Sequence, residues 1–190
     1  MTEIDGFWSK FAFEGMTTRF APFLHRDKTA ENWSQSMGYY AHGYTYAFQR
    51  LVMVAIEMWP LAEYLRMPVF YLARHSAELQ LKNVIKEYST ANGQPYTAAD
   101  EHSLTKLWNK AAKQLELAGW PTDDDWSKYC GKLVQHLNEK DANGERFRYP
   151  EANDGTPFEC TRVDLEELAK AHANVTLWCD AAIDMLHEAN

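Results

Sequence analysis

The stretch PVFYLARHSAELQLKNVI, residues 68–85, decides the fold. Stepped around a helix, Val69, Phe70, Leu72, Ala73, Ala77, Leu79, Leu81 and Val84 cover most of its girth. A helix that is apolar nearly all round belongs inside a bundle. Pro68 suits a first turn, where its missing N–H costs nothing, and ANGQPY at residues 91–96 predicts an end near Thr90. Yet the same segment carries Arg74, His75, Glu78 and Lys82. With Arg74 as zero, Glu78 falls near ~40°, Lys82 near ~80° and His75 near ~100° on the ~100° helical step. The ionisable groups thus form one sector, with a carboxylate four residues from a cation on either side. Two readings stay open: a polar network that ties helices together, or the lining of a pocket for a phosphate or nucleotide. In the second, Arg74 and Lys82 hold oxygens and Glu78 orients them.

Outward from this helix the pattern stays helical. A first segment is expected over Asp5–Leu24, followed by the polar break HRDKT. Thr29 is then the expected cap of a long helix to Met58, with Tyr40, Tyr44, Ala47, Leu51, Val54 and Met58 as its apolar stripe. Gly38 and Gly43 predict a bent or irregular beginning. Asp100 or Thr97 is expected to start a further helix, closed by Gly119. PTDDD at residues 121–125 starts another, with carboxylates at the positive end of its dipole. Residues 141–160, rich in Gly, Pro, Asn and Asp, form the one long non-helical stretch, with room for a short hairpin. A last helix is expected over Val163–His187, with Leu168, His172, Val175, Cys179, Ala182 and Leu186 as its stripe. The expected fold is a single all-α bundle of five or six helices, residues 1–30 an amino-terminal helical extension and 31–190 the core.

Composition narrows the function classes. The 190 residues are 46% hydrophobic and 14% aromatic, ample for one core. A formal net charge of −8 repels phosphate backbones at long range and argues against coating nucleic acid, though a local basic pocket remains compatible with it. Three scattered cysteines without a CxxC pair suit a reducing cytoplasm and give no zinc motif. Neither a signal peptide nor a membrane span is expected, so the expected setting is cytoplasmic, without membrane association. Phosphate-loop, HExxH and GxSxG motifs are all missing, and no cofactor or metal is expected. Cys130 reads as a small apolar filler. The aromatic run GYYAHGYTYAF, residues 38–48, reads as core and dimer interface in preference to a base-stacking platform.

The segment at 68–85, followed by EHSLTKLW at 101–108 and FRYPEANDG at 147–155, resembles the HEPN superfamily in ordered succession over roughly Gly43 to Leu186. The resemblance implies a four- to five-helix bundle that forms homodimers, often in bacterial antiphage defence or toxin–antitoxin systems. Many members are metal-independent ribonucleases with an Arg and a His, four to six residues between them, on a late helix. This chain departs from that pattern. Arg162 and His172 are ten apart, and the one matching pair, Arg19 and His25, lies near the amino terminus with Pro22 between. The nuclease residues therefore do not carry over.

The expectation is a homodimeric interaction or nucleotide/RNA-binding module without conventional ribonuclease activity, with a partner encoded nearby as a further expectation. Its candidate ligand residues are Arg74, His75, Glu78, Lys82, His102, Arg148 and Tyr149. Arg148 and Tyr149 enter because they sit in the long loop, where binding residues concentrate. The alternatives are a metal-independent ribonuclease, with His75 or His172 in the acid–base role, and a structural or antitoxin subunit. His172 otherwise reads as a hydrogen-bonded core histidine, and His102 as a partner of first-turn groups.

Overall fold

A helix apolar around its girth needs neighbours on every side, and residues 66–91 have them. The computed structural model describes residues 35–139, 141, 144, 146–149, 151, 154–158 and 162–189. All belong to the larger of the two units into which the chain divides, Asn32–Asn190. Five helices are described: α1 (Met37–Glu57), α2 (Arg66–Ala91), α3 (Leu104–Leu117), α4 (Asp125–Glu139) and α5 (Leu165–Glu188). A single 3₁₀ turn, Glu63–Leu65, leads into α2. Among the described residues the only β pairing is an isolated antiparallel bridge, Glu151 to Pro157. The expected all-α bundle is what forms.

The central helix packs against α1, α3 and α5, while α4 closes the bundle between α3 and α5. Its Val69, Ala73, Ala77, Leu81 and Val84 are fully buried. Tyr88, fully buried near the end of α2, donates its hydroxyl to the Ala182 carbonyl of α5 at 2.8 Å. The predicted stripe of α5 is buried throughout. Trp178 of α5 meets Trp108 of α3 with ring centroids 4.3 Å apart and donates to Ser127 Oγ of α4 at 2.9 Å. Cys130 of α4 and Cys179 of α5 are free, fully buried thiols. Burial pushes Cys130 up to about 11 and Cys179 well above its ordinary value, so both stay protonated.

Several expectations are corrected. The helix before α2 is capped by Ser36, whose Oγ accepts from Tyr39 N at 3.1 Å, not by Thr29. It runs unbroken through Gly38 and Gly43. Its buried face is Ala41, Thr45, Phe48, Val52 and Ala55, one residue away from the expected stripe. The aromatic run is accordingly not all core, for Tyr39, Tyr40 and Tyr46 are exposed and Phe48 alone of its aromatic rings is fully buried. α1 has large side chains on both sides, so periodicity did not single out the inner one.

Helix α3 starts at Ser103, beyond Asp100 and Thr97. Asn138 of α4 supplies the second cap, its Oδ1 accepting from Leu104 N at 2.8 Å. α4 has its expected acidic start, with Asp124 Oδ1 accepting from Trp126 N and Ser127 N. Gly119, at φ +86, closes α3 in the left-handed conformation that glycine adopts without strain. The expected segment Asp5–Leu24, the Arg19/His25 pair and Cys160 lie outside the described residues. Among the described residues no helix is long and apolar enough to cross a membrane.

Two helix-interior glycines give opposite expectations. A Cβ on Gly43 meets nothing within 4 Å, so Gly43→Ala should stabilise by about 0.5–1 kcal/mol through helix propensity. A Cβ on Gly131 would lie 3.0 Å from Trp108 Nε1, on a ring already packed against Trp178. Gly131→Ala should therefore destabilise by roughly 1–2 kcal/mol despite its better propensity. Urea unfolding of both variants checks the contrast, and a stabilised Gly131→Ala would contradict the tight α3–α4 contact.

Candidate functional site

Of Arg74, His75, Glu78 and Lys82 on α2, three converge indoors. Arg74, Glu78 and Lys82 are 2%, 4% and 6% exposed. Glu78 stands between the cations: Arg74 Nη1 donates to its Oε2 at 2.9 Å and Lys82 Nζ to its Oε1 at 3.0 Å. Burial pushes the Glu78 carboxyl up, but the hydrogen bonds and charges of Lys82 and Arg74 outweigh it and hold the group below its ordinary value. An ionised carboxylate only accepts, so the His102 Nδ1 that lies 3.0 Å from Oε1 carries the hydrogen.

The remaining donors of the row fasten two loops. Arg74 Nη2 donates to the His102 carbonyl at 2.6 Å and Lys82 Nζ to the Ala99 carbonyl at 3.0 Å, which holds the α2–α3 connection. Arg74 Nε donates to the Asp141 carbonyl at 2.9 Å, and Asp141 Oδ2 lies 3.4 Å away, so the segment after α4 is held as well. Asp141 Oδ1 accepts from Arg146 N at 3.1 Å. Gly144, at φ +76, lies against the guanidinium so closely that a Cβ there would stand 2.9 Å from Nη1. Phe147 pins the same segment by packing its ring on Phe70, centroids 3.8 Å apart.

The structure therefore brings Arg74, Glu78, Lys82 and His102 together and leaves His75, Arg148 and Tyr149 out of that network. Arg148 Nε donates to the Gly144 carbonyl at 2.7 Å, and its guanidinium sits 5.6 Å from the centre of the exposed Tyr149 ring. Gly144 fits against the Arg74 guanidinium because a group that already makes three hydrogen bonds leaves room beside it only for bare backbone.

His75 faces the other way, half-buried between two tyrosines. Tyr71 stacks on it at 5.6 Å, and Tyr44 of α1 meets it edge-on at 4.5 Å. Burial is the main cause that lowers its pKa. The Glu78 charge opposes this, while Arg74, Lys82 and Arg148 add to it. The imidazole is thus neutral at neutral pH. It opens on a cleft of about 340 Å³ between α1 and α2, rimmed by Ser36, Tyr40, Tyr44, Leu79 and Lys86. The sequence reading missed Tyr40, Tyr44 and Lys86 as site residues. Their common spacing with His75 on two adjacent helices shows only once the helices are paired.

His172 is a core group. It is fully buried, its ring is 4.0 Å from that of Phe48, and its Nε2 is 2.6 Å from Ser76 Oγ. Burial lowers its pKa to about 3. Among the described residues no cluster of His, Cys, Asp or Glu could hold a metal ion. Comparison with family models, with curated proteins and with solved structures finds no significant match to this chain.

Two measurements follow. Glu78→Gln leaves two buried cations without their carboxylate and should cost roughly 3–5 kcal/mol in chemical unfolding. A loss below about 1 kcal/mol, the range of exposed pairs, would mean the row is hydrated. His172 stays neutral when folded while its unfolded form protonates near its ordinary value. The unfolded state therefore takes up the extra proton, and stability falls as pH drops from about 6.5 towards 3, by at most about 1.4 kcal/mol per pH unit. His172→Gln should flatten that part of the stability–pH curve.

Proposed function

We propose that this chain is a HEPN-like helical module that holds a nucleotide, or one unstacked nucleotide of an RNA, in the His75 cleft. It works as a homodimer and without the conventional ribonuclease arrangement. The observation that carries this reading is the division within the α2 row. Arg74, Glu78 and Lys82 are engaged by protein, whereas His75 alone faces an open cleft. Tyr40 and Tyr44 offer stacking faces, Lys86 a phosphate partner, and the neutral His75 a hydrogen bond in either direction. The charge of Arg148 reaches the same imidazole. A volume of about 340 Å³ suits one nucleotide unit and not a duplex, in keeping with the chain's formal net charge of −8.

Dimerisation is supported by the outward face of α1, where Tyr39, Tyr46 and Met53 stand exposed at helical spacing. The resemblance in residues 68–85, 101–108 and 147–155 supports the family reading and, through it, a setting in bacterial defence or a toxin–antitoxin pair. The buried His172 speaks against an acid–base role for that residue. A neutral, cleft-facing His75 keeps a second reading in play, a metal-independent ribonuclease with His75 as proton acceptor.

The test is titration of the purified chain with AMP and a short single-stranded RNA, beside His75→Ala and Lys86→Ala variants of unchanged thermal stability. Each substitution should weaken binding by about tenfold, the loss of one charge-assisted or stacking contact. Unchanged affinity would remove the cleft from the reading. RNA cut in EDTA to 2′,3′-cyclic phosphate ends, and left intact by His75→Ala, would establish the catalytic alternative.

A further inference from the structure

The face of α1 turned away from the bundle is apolar at its middle and carries one charge of each sign. Tyr46, Arg50, Met53, Val54 and Glu57 fall within an arc of about 100° at the ~100° helical step. That arc lies opposite the buried Ala41, Phe48, Val52 and Ala55. Tyr46 is 61% exposed, Met53 50% and Val54 38%. The turn directly after the helix adds Leu61 and Tyr64, exposed by 80% and 71%. Large apolar side chains exposed singly are ordinary, but a group of them on one face marks an interaction surface.

The charges on this face say what covers it. Arg50 and Glu57 are both exposed and stand seven residues apart, two turns along the same side of the helix. Among the described residues neither makes an ion pair, and the Arg50 guanidinium rests over the Tyr46 ring, 5.6 Å from its centre. A partner of one sign would satisfy one of these charges and repel the other. An identical helix laid antiparallel satisfies both. With a two-fold axis between Met53 and Val54, Arg50 of each copy meets Glu57 of the other, and Met53 meets Val54 of the other. A parallel pairing would set Arg50 against its own copy and Glu57 against its own.

We propose that a second copy of this chain docks antiparallel on the outer face of α1, with Met53 and Val54 at the axis and an Arg50–Glu57 pair on either side. This rests on the homodimer reading above and fixes the direction and centre of its contact. The arrangement has the apolar middle and charged rim usual for protein interfaces. Tyr40, at the mouth of the His75 cleft, lies about 20 Å along the helix from the axis at 1.5 Å per residue.

Sedimentation equilibrium of the full chain between about 1 and about 100 µM tests the contact, and a dimer with a Kd of roughly 1–50 µM is expected. Met53→Glu, which brings a carboxylate to the apolar centre, should weaken it at least about tenfold, with helical circular dichroism unchanged because the position is exposed. Arg50→Glu and Glu57→Arg each set like charges face to face and should each weaken it by about tenfold. The double variant Arg50→Glu/Glu57→Arg restores opposite charges and should return to within about threefold of the original Kd. A double variant as weak as either single one, or a dimer indifferent to all these substitutions, would overturn the antiparallel contact while leaving a homodimer through another face. A wild-type chain that stays monomeric would overturn the homodimer reading as well and leave the face to a different protein.

Discussion

The bundle depends on one buried carboxylate. Glu78 lies on the helix that touches most of the others, and its two oxygens receive Arg74, Lys82 and His102. With Glu78 ionised, two cations can remain in an interior that would otherwise reject them. Both cations then have donors left for the carbonyls of Ala99, His102 and Asp141. The connections on either side of α3 and α4 are thereby attached to the same three turns of α2. Apolar contact would bury these helices without saying where the loops go, whereas the charged row specifies it.

This accounts for the division of labour on α2. The sector that holds charge is the sector that loops cover, and the arc beyond it is free to face a cleft. His75, at the border, is clasped by two tyrosines and remains neutral. The tyrosines that clasp it come from α1 and α2, so the cleft is built between two long, packed helices. A second polar cleft, lined by His42, Gln80, Asn83, Asp180 and Asp184, lies at the same level of the pair, on the side of α5. The His75 site is thus seated on helices, with the loops serving as fastened covers of the charged row.

Much of the bundle was legible in the sequence because its signals were local. The full apolar girth of residues 68–85, the start at Asp124, the stop at Gly119 and the stripe of α5 each follow from neighbours within a few residues. The face of α1 was misread because Tyr40, Tyr44 and Val54 make as good a stripe as Ala41, Phe48 and Val52 when no partner helix is known. The sector on α2 was visible as geometry, but its partners were not: backbone carbonyls at Ala99 and Asp141 leave no mark in a residue pattern. Arg148 was a candidate for its place in the long loop, whereas the closeness of Gly144 to Arg74 follows from its lack of a side chain and gave no signal. The cleft at Gln80 and Asp180 joins residues about a hundred positions apart, beyond the reach of any spacing rule.

Cys130 and Cys179 sit on neighbouring helices with their sulfurs sealed from water and their protons retained. Neither can meet an alkylating reagent while α4 and α5 stay closed, and each gains its nucleophilic form only on reaching solvent. The molecule thus carries an internal clock: the rate at which these two thiols are trapped reports how often that wall of the bundle swings open.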